Sequence, residues 1–141
     1  MNRPNLKIAY NTSENDIRTE FYLPCLKWAL QFERGVGYFT SGWLEYNAKG
    51  MAEFISHGGK ARWITSPILS EKDMEIFVNI ANGQQEAYLE KLINFDVEKL
   101  EYEMRQDVRN LLAWMIHDGV LEMRFAVPIG KLQEGDFHDK F

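Results

Sequence analysis

Short apolar runs alternate along this chain with longer stretches of helical pattern, and that alternation restricts the fold more than any other feature. The first run is Gly35-Val36-Gly37-Tyr38-Phe39, flanked by charge in the manner of a buried strand. The second is residues 60–65, where Ala61, Trp63 and Thr65 alternate with Arg62 and Ile64. The third is residues 120–127, where Val120, Glu122, Arg124 and Ala126 alternate with Leu121, Met123, Phe125 and Val127. A helical stretch over residues 43–57, closed by Gly58-Gly59, separates the first run from the second. Between the second and third lie a helix opened by Ser70-Glu71-Lys72-Asp73 and then residues 84–118, which hold no Gly or Pro. Strands joined by helices of this length pair in parallel, because an antiparallel pair would need only a short turn. The predicted fold class is α/β, a mostly parallel mixed sheet flanked by helices.

The apolar residues of the Gly- and Pro-free stretch are Leu89, Ile93, Val97, Leu100, Met104, Val108, Leu111 and Met115. Their steps of four, four and three repeat with an eleven-residue period, about 3.67 residues per turn, which describes a nearly straight helical stripe rather than a left-handed coiled coil. One helix of that length would span about 50 Å. A break near Asn94-Phe95-Asp96 is therefore expected, and Gly119 is expected to close the stretch as the C′ glycine. At the start of the chain, residues 6–11 alternate like a short edge strand. Residues 17–32 read as two short helical pieces, with Pro24 opening the second. After the third strand, Pro128-Ile129-Gly130 and a polar loop lead to a fourth strand beginning at Phe137.

The formal charge is −5. Free-standing, non-specific nucleic-acid binding requires a clustered excess of Lys and Arg, so any phosphate handled here should sit in a small local site. A single cysteine, Cys25, cannot form an internal disulfide, and residues 1–5 lack the apolar stretch of a signal peptide. The expected location is the cytoplasm, with no membrane partner.

In parallel α/β sheets, ligands bind beyond the carboxyl ends of the strands. Those ends carry Thr40-Ser41 and Thr65-Ser66. Two readings fit Ser41 and Ser66: hydroxyls that hold a phosphate oxygen, or plain caps and turn residues. His138 and Lys140, spaced by two, fall on one side of a strand. An imidazole there can attack phosphorus while the ammonium neutralises the phosphoryl oxygens. Read alone, His138 is better taken as an ordinary surface or loop residue.

A series of segments precedes that pair: Phe21-Tyr22-x-Pro24-Cys25-Leu26, then Arg34-Gly35-Val36-Gly37-Tyr38-Phe39-Thr40-Ser41, then the Gly58 to Ser70 segment, then Leu111-Leu112-Ala113-Trp114-Met115-Ile116-x-x-Gly119. In this order, ahead of Phe137-His138-Asp139-Lys140-Phe141, they resemble the phospholipase D-like nuclease domains at the N-terminus of bacterial DEAD/DEAH-box helicases and related restriction enzymes. The likeness runs from about residue 11 to residue 141. It implies one domain over residues 1–141, the N-terminal part of such a module, ending at its His-x-Lys motif. The family pattern is His-x-Lys-x4-Asp followed by Gly-Ser-x-Asn, of which this sequence holds His138 and Lys140 as the catalytic candidates.

The resemblance implies a phosphodiesterase acting on DNA without metal or other cofactor. It further implies a homodimer whose two His-x-Lys motifs share one active site, and C-terminal helicase or restriction domains in the same polypeptide. These residues alone are expected to be inactive. The alternative is a non-catalytic module of the same fold that mediates dimerisation or recruits nucleic acid. No Walker-type glycine loop is present, so ATP binding would belong to other domains. His57 and His117 read as helix C-terminal residues, Cys25 as a small core residue, and Trp28, Trp43, Trp63 and Trp114 as packing residues.

Overall fold

The structure, a computed structural model, describes residues 3–66, 69–82 and 97–126. Its strands are β1 Gln31–Val36, β2 Lys60–Thr65 and β3 Leu121–Phe125. They are parallel and lie in sequence order, with Gln31 opposite Lys60, Val36 opposite Thr65, Ala61 opposite Leu121 and Thr65 opposite Phe125. The helices among the described residues are α1 Leu23–Trp28, α2 Gly42–Tyr46, α3 Ala48–Ser56, α4 Glu71–Ala81, α5 Val97–Gln106 and α6 Val108–His117. A π-helical turn, Arg18–Tyr22, runs directly into α1, with Pro24 in the first turn of that helix, where its missing N–H costs nothing.

The α/β class with a parallel, helix-flanked sheet is therefore what this sequence forms. β2 has the predicted bounds, with Ala61, Trp63 and Thr65 buried. β1 begins four residues earlier than the apolar run suggests, because Phe32 and Arg34 also face the helices. Arg34 hides that pattern: its guanidinium lies 4.4 Å from the Trp43 ring and 5.2 Å from the Trp63 ring, so a charged residue fills an inward position. The strand expected over residues 6–11 does not form. Leu6 and Ile8 are exposed, so the alternation has no buried face, and the segment is held instead by Tyr10 against Phe21 at 5.3 Å. The fourth strand from Phe137 and the break near residues 94–96 lie outside the described residues.

Two helix boundaries differ from expectation for local reasons. The stretch over residues 43–57 divides at Asn47, whose φ of −101° and ψ of 19° interrupt the helix while its Nδ2 bonds back to Trp43 O at 3.0 Å. The long stretch breaks at Asp107, which caps α6 by accepting from the Asn110 amide. The stripe survives that break, since Leu100, Met104, Leu111 and Met115 are all buried.

Both long crossovers end in the same way. At the end of α3, the Gly58 amide bonds Ile55 O at 3.0 Å and the Gly59 amide bonds Phe54 O at 2.9 Å; at the end of α6, Gly119 bonds Ile116 O at 3.2 Å and Val120 bonds Met115 O at 2.8 Å. These are Schellman pairs, made possible by positive φ at Gly58 (83°) and Gly119 (63°), and each aims the chain into the next strand.

The core lies on one face of the sheet. Val36, Ala61, Trp63, Thr65 and Leu121 are buried there beneath Leu44, Met51, Phe54, Leu111 and Met115. Trp63 anchors it, edge-to-face with Trp43 at 5.4 Å and with Phe32 at 5.9 Å; each such pair adds about 0.5–1.5 kcal/mol to the area it buries. On the opposite face Gln31, Glu33, Lys60, Arg62, Glu122 and Arg124 are exposed. Parallel sheets ordinarily cover both faces. Among the described residues no helix packs on this face, and it is polar, with Arg62 paired to Glu33 across the strands and Arg124 Nε donating to Glu122 at 2.6 Å.

Candidate functional site

The carboxyl ends of β1 and β2 deliver two loops to one edge of the sheet. Pairing continues just past the strands, where the Ser66 amide donates to Gly37 O at 3.3 Å, so the loops carrying Thr40-Ser41 and Ser66 leave the same edge of the sheet. Gly37 and Phe39 are buried beneath this turn, while Tyr38 points outward. Helix α2 then starts after Ser41, which stands at its N-cap position without using its side chain to cap.

A buried carboxylate joins the two loops. Asp73, only 3% exposed, accepts the Ser41 amide at 3.2 Å on one oxygen and the Ser70 hydroxyl at 2.8 Å on the other. Ser70 Oγ in turn accepts the Asp73 amide at 3.2 Å, the N-cap half of a capping box. The first turn of α4 is thereby fixed against the loop that follows β1. This arrangement aligns the Ser41 turn rigidly over the sheet edge, at the place where parallel α/β sheets take ligands.

Of the predicted phosphate-binding pair, Ser41 is partly exposed at this edge and Ser66 is fully buried beside it. His138 and Lys140 lie outside the described residues. Asp73 was legible in the sequence as a helix-dipole partner through its Ser-x-x-Asp spacing; its bond to Ser41 was not, because the two are brought together only by the crossover. Arg34 was missed altogether. Burial pulls its pKa down from the usual arginine value, and its Nη1 is enclosed without a hydrogen-bond partner, so the two indole faces are its main compensation.

The remaining candidates are structural. His57 Nε2 lies 2.8 Å from Ala29 O and ties the end of α3 to the segment before β1. His117 Nδ1 is 3.0 Å from Asp118 Oδ1, and the other oxygen of Asp118 accepts from Trp114 Nε1 at 2.8 Å. Burial pushes the Cys25 thiol up, away from the thiolate that a nucleophile needs. Among the described residues no three His, Cys, Asp or Glu side chains converge as a metal site, and no helix is long and apolar enough to cross a membrane.

No protein-family model, curated protein or solved structure matches this chain.

Proposed function

We propose that this chain is the N-terminal part of a phospholipase D-like phosphodiesterase module, acting on DNA within a larger helicase- or restriction-type protein. The observation that carries the reading is His138-x-Lys140, placed after a series of segments whose order resembles that family's. A parallel sheet with hydroxyl-bearing turns at its carboxyl edge is compatible with a phosphate site there.

In the proposed reaction the imidazole of His138 attacks phosphorus. The bond to the leaving oxygen breaks, and that oxygen takes a proton from the second histidine, supplied by a partner copy. Water then attacks the phosphohistidine, with the second histidine accepting its proton. The attacking histidine must be neutral and its partner protonated, so activity should peak near neutrality, between their two pKa values. Lys140 from each copy neutralises the phosphoryl oxygens, and Ser41 contributes a hydroxyl at the sheet edge. Ser66 shapes that edge from beneath.

The gene beyond codon 141 provides the first test. An Asp five positions after Lys140, followed by Gly-Ser-x-Asn, completes the motif; a sequence without them defeats the reading. In the complete protein, DNA cleavage should persist in EDTA and fall by about 10³-fold or more in His138→Ala, the scale of losing a nucleophile. Cleavage abolished by EDTA would point to a metal nuclease instead.

A further inference from the structure

A second feature, independent of the His-x-Lys motif, lies between the π-turn, the α2–α3 break and the end of α5. A cavity of about 200 Å³ opens there, lined among others by Arg18, Thr19, Tyr46, Asn47, Lys49 and Arg105. Three of its lining residues are cationic and none is acidic, in a chain whose net charge is −5. Helix α3 runs back from the carboxyl end of β1 to the start of β2, so its first turn sits toward the carboxyl end of the sheet. The end of α5, which packs on α3, joins it there.

Two of the cations are held in place. The Arg18 guanidinium lies over the Tyr46 ring, 5.1 Å from its centroid, a cation–π contact that steadies it at the cavity mouth. Arg105 is steadied by Glu101, one helical turn back, through Nε at 3.3 Å and Nη2 at 3.0 Å. A guanidinium carries five N–H donors, so this pair leaves others to serve a ligand. Lys49 adds a compact charge from the first turn of α3.

The fourth element is polar and buried. Asn47 is 2% exposed, and its Nδ2 donates to Trp43 O, which identifies the other atom as the carbonyl oxygen. That Oδ1 is enclosed with no hydrogen-bond partner in the protein, an arrangement that is unfavourable until a donor satisfies it. Three cations lining one cavity suit an anion, and the unsatisfied oxygen of Asn47, a residue of the same lining, favours one that also carries a hydrogen-bond donor. The cavity is smaller than the roughly 300 Å³ at which drug-sized sites begin, and suits a phosphate with a few attached carbons.

We propose that this cavity binds a small hydroxylated phosphate monoester, of the class of a sugar phosphate. Arg18, Lys49 and Arg105 hold the phosphate, and Asn47 accepts from a ligand hydroxyl. The site uses neither His138 nor Lys140, so it stands or falls separately from the nuclease reading.

The test is titration of the isotopically labelled chain, followed by backbone amide shifts, with inorganic phosphate, adenosine monophosphate, glucose 6-phosphate and a short DNA strand with or without a 5′-phosphate. Saturable shifts at Lys49, Gly50 and Arg105 are expected, with a Kd below about 1 mM for at least one monoester. Inorganic phosphate should bind the same residues more weakly, lacking the hydroxyl. Lys49→Gln combined with Arg105→Gln, both at exposed positions, should weaken binding at least about tenfold while leaving the circular dichroism spectrum intact. Lys60→Gln, on the open sheet face, should leave it unchanged. Tighter binding of one monoester identifies the source. Shifts that do not saturate, wild-type affinity in the double variant, or equal affinity for the strand lacking a 5′-phosphate would each overturn the proposal.

Discussion

Asp73 does with one carboxylate what two separate caps would otherwise have to do. It accepts from Ser41 in the loop after β1 and from Ser70 at the head of α4, and the carboxylate itself is buried. Removing it strands the Ser41 amide and leaves the Ser70 hydroxyl without its acceptor. Asp73→Ala is therefore expected to destabilise the fold by about 1–3 kcal/mol in chemical denaturation, with exchange of the Ser41 amide accelerated beyond that of the β2 amides. A sequence reader sees half of this. Ser70 and Asp73 announce a helix start by their spacing, but Ser41 lies a whole crossover away and carries no mark of its partner. Arg34 teaches the complementary lesson. A charge inside a strand reads as an interruption until tertiary packing brings the Trp43 and Trp63 rings against it.

At the scale of elements, helix ends were more legible than helix interiors. Gly58-Gly59 and Gly119 stop α3 and α6 where their backbone freedom requires, and both were readable directly. The interruption at Asp107 was not, because the apolar stripe runs through it without losing step. Asp107→Ala should remove the cap of α6, whose Asn110 amide it now receives, and cost about 0.5–2 kcal/mol by thermal or chemical unfolding. The N-terminal segment makes a different prediction. A hydrogen bond from Lys7 lowers the Glu20 pKa, and one from Thr19 lowers that of Asp16. A carboxyl group whose pKa is depressed by folding contributes stability above its unfolded value, and that contribution is lost as pH falls through the folded one. Acidification below the ordinary carboxylate range should thus release residues 3–20 while the core stays folded. The Tyr10 ring resonances, now set by Phe21, report it; unchanged Tyr10 shifts down to the acid limit would contradict it. High salt should bring on the release at a higher pH, since both carboxylates are exposed and screened.

On the scale of the molecule, the sheet is packed on one side only among the described residues. The open side holds charged residues in cross-strand and same-strand pairs, and exposed pairs of this kind contribute little to stability. Arg62→Gln is expected to leave the melting temperature unchanged within error; a clear drop would mean that this face is covered in solution.

The sequence by itself determined the α/β class, the bounds of β2, the helix-closing glycines and the parallel sense of the sheet. These follow from periodicity, from the length of the connections and from backbone sterics, all of which are local. It also presented His138 and Lys140 as a chemical pair, on spacing and on resemblance alone. Tertiary structure decided what spacing cannot encode: that Asp73 reaches Ser41, that Arg34 packs against two tryptophans, and that Arg18, Lys49 and Arg105 line one cavity with Asn47, whose side-chain oxygen has no partner. The physical reason is the same in each case. Those residues are far apart in the chain, and only the parallel crossovers, by stacking the helices on one face of the sheet, bring their side chains within interaction distance.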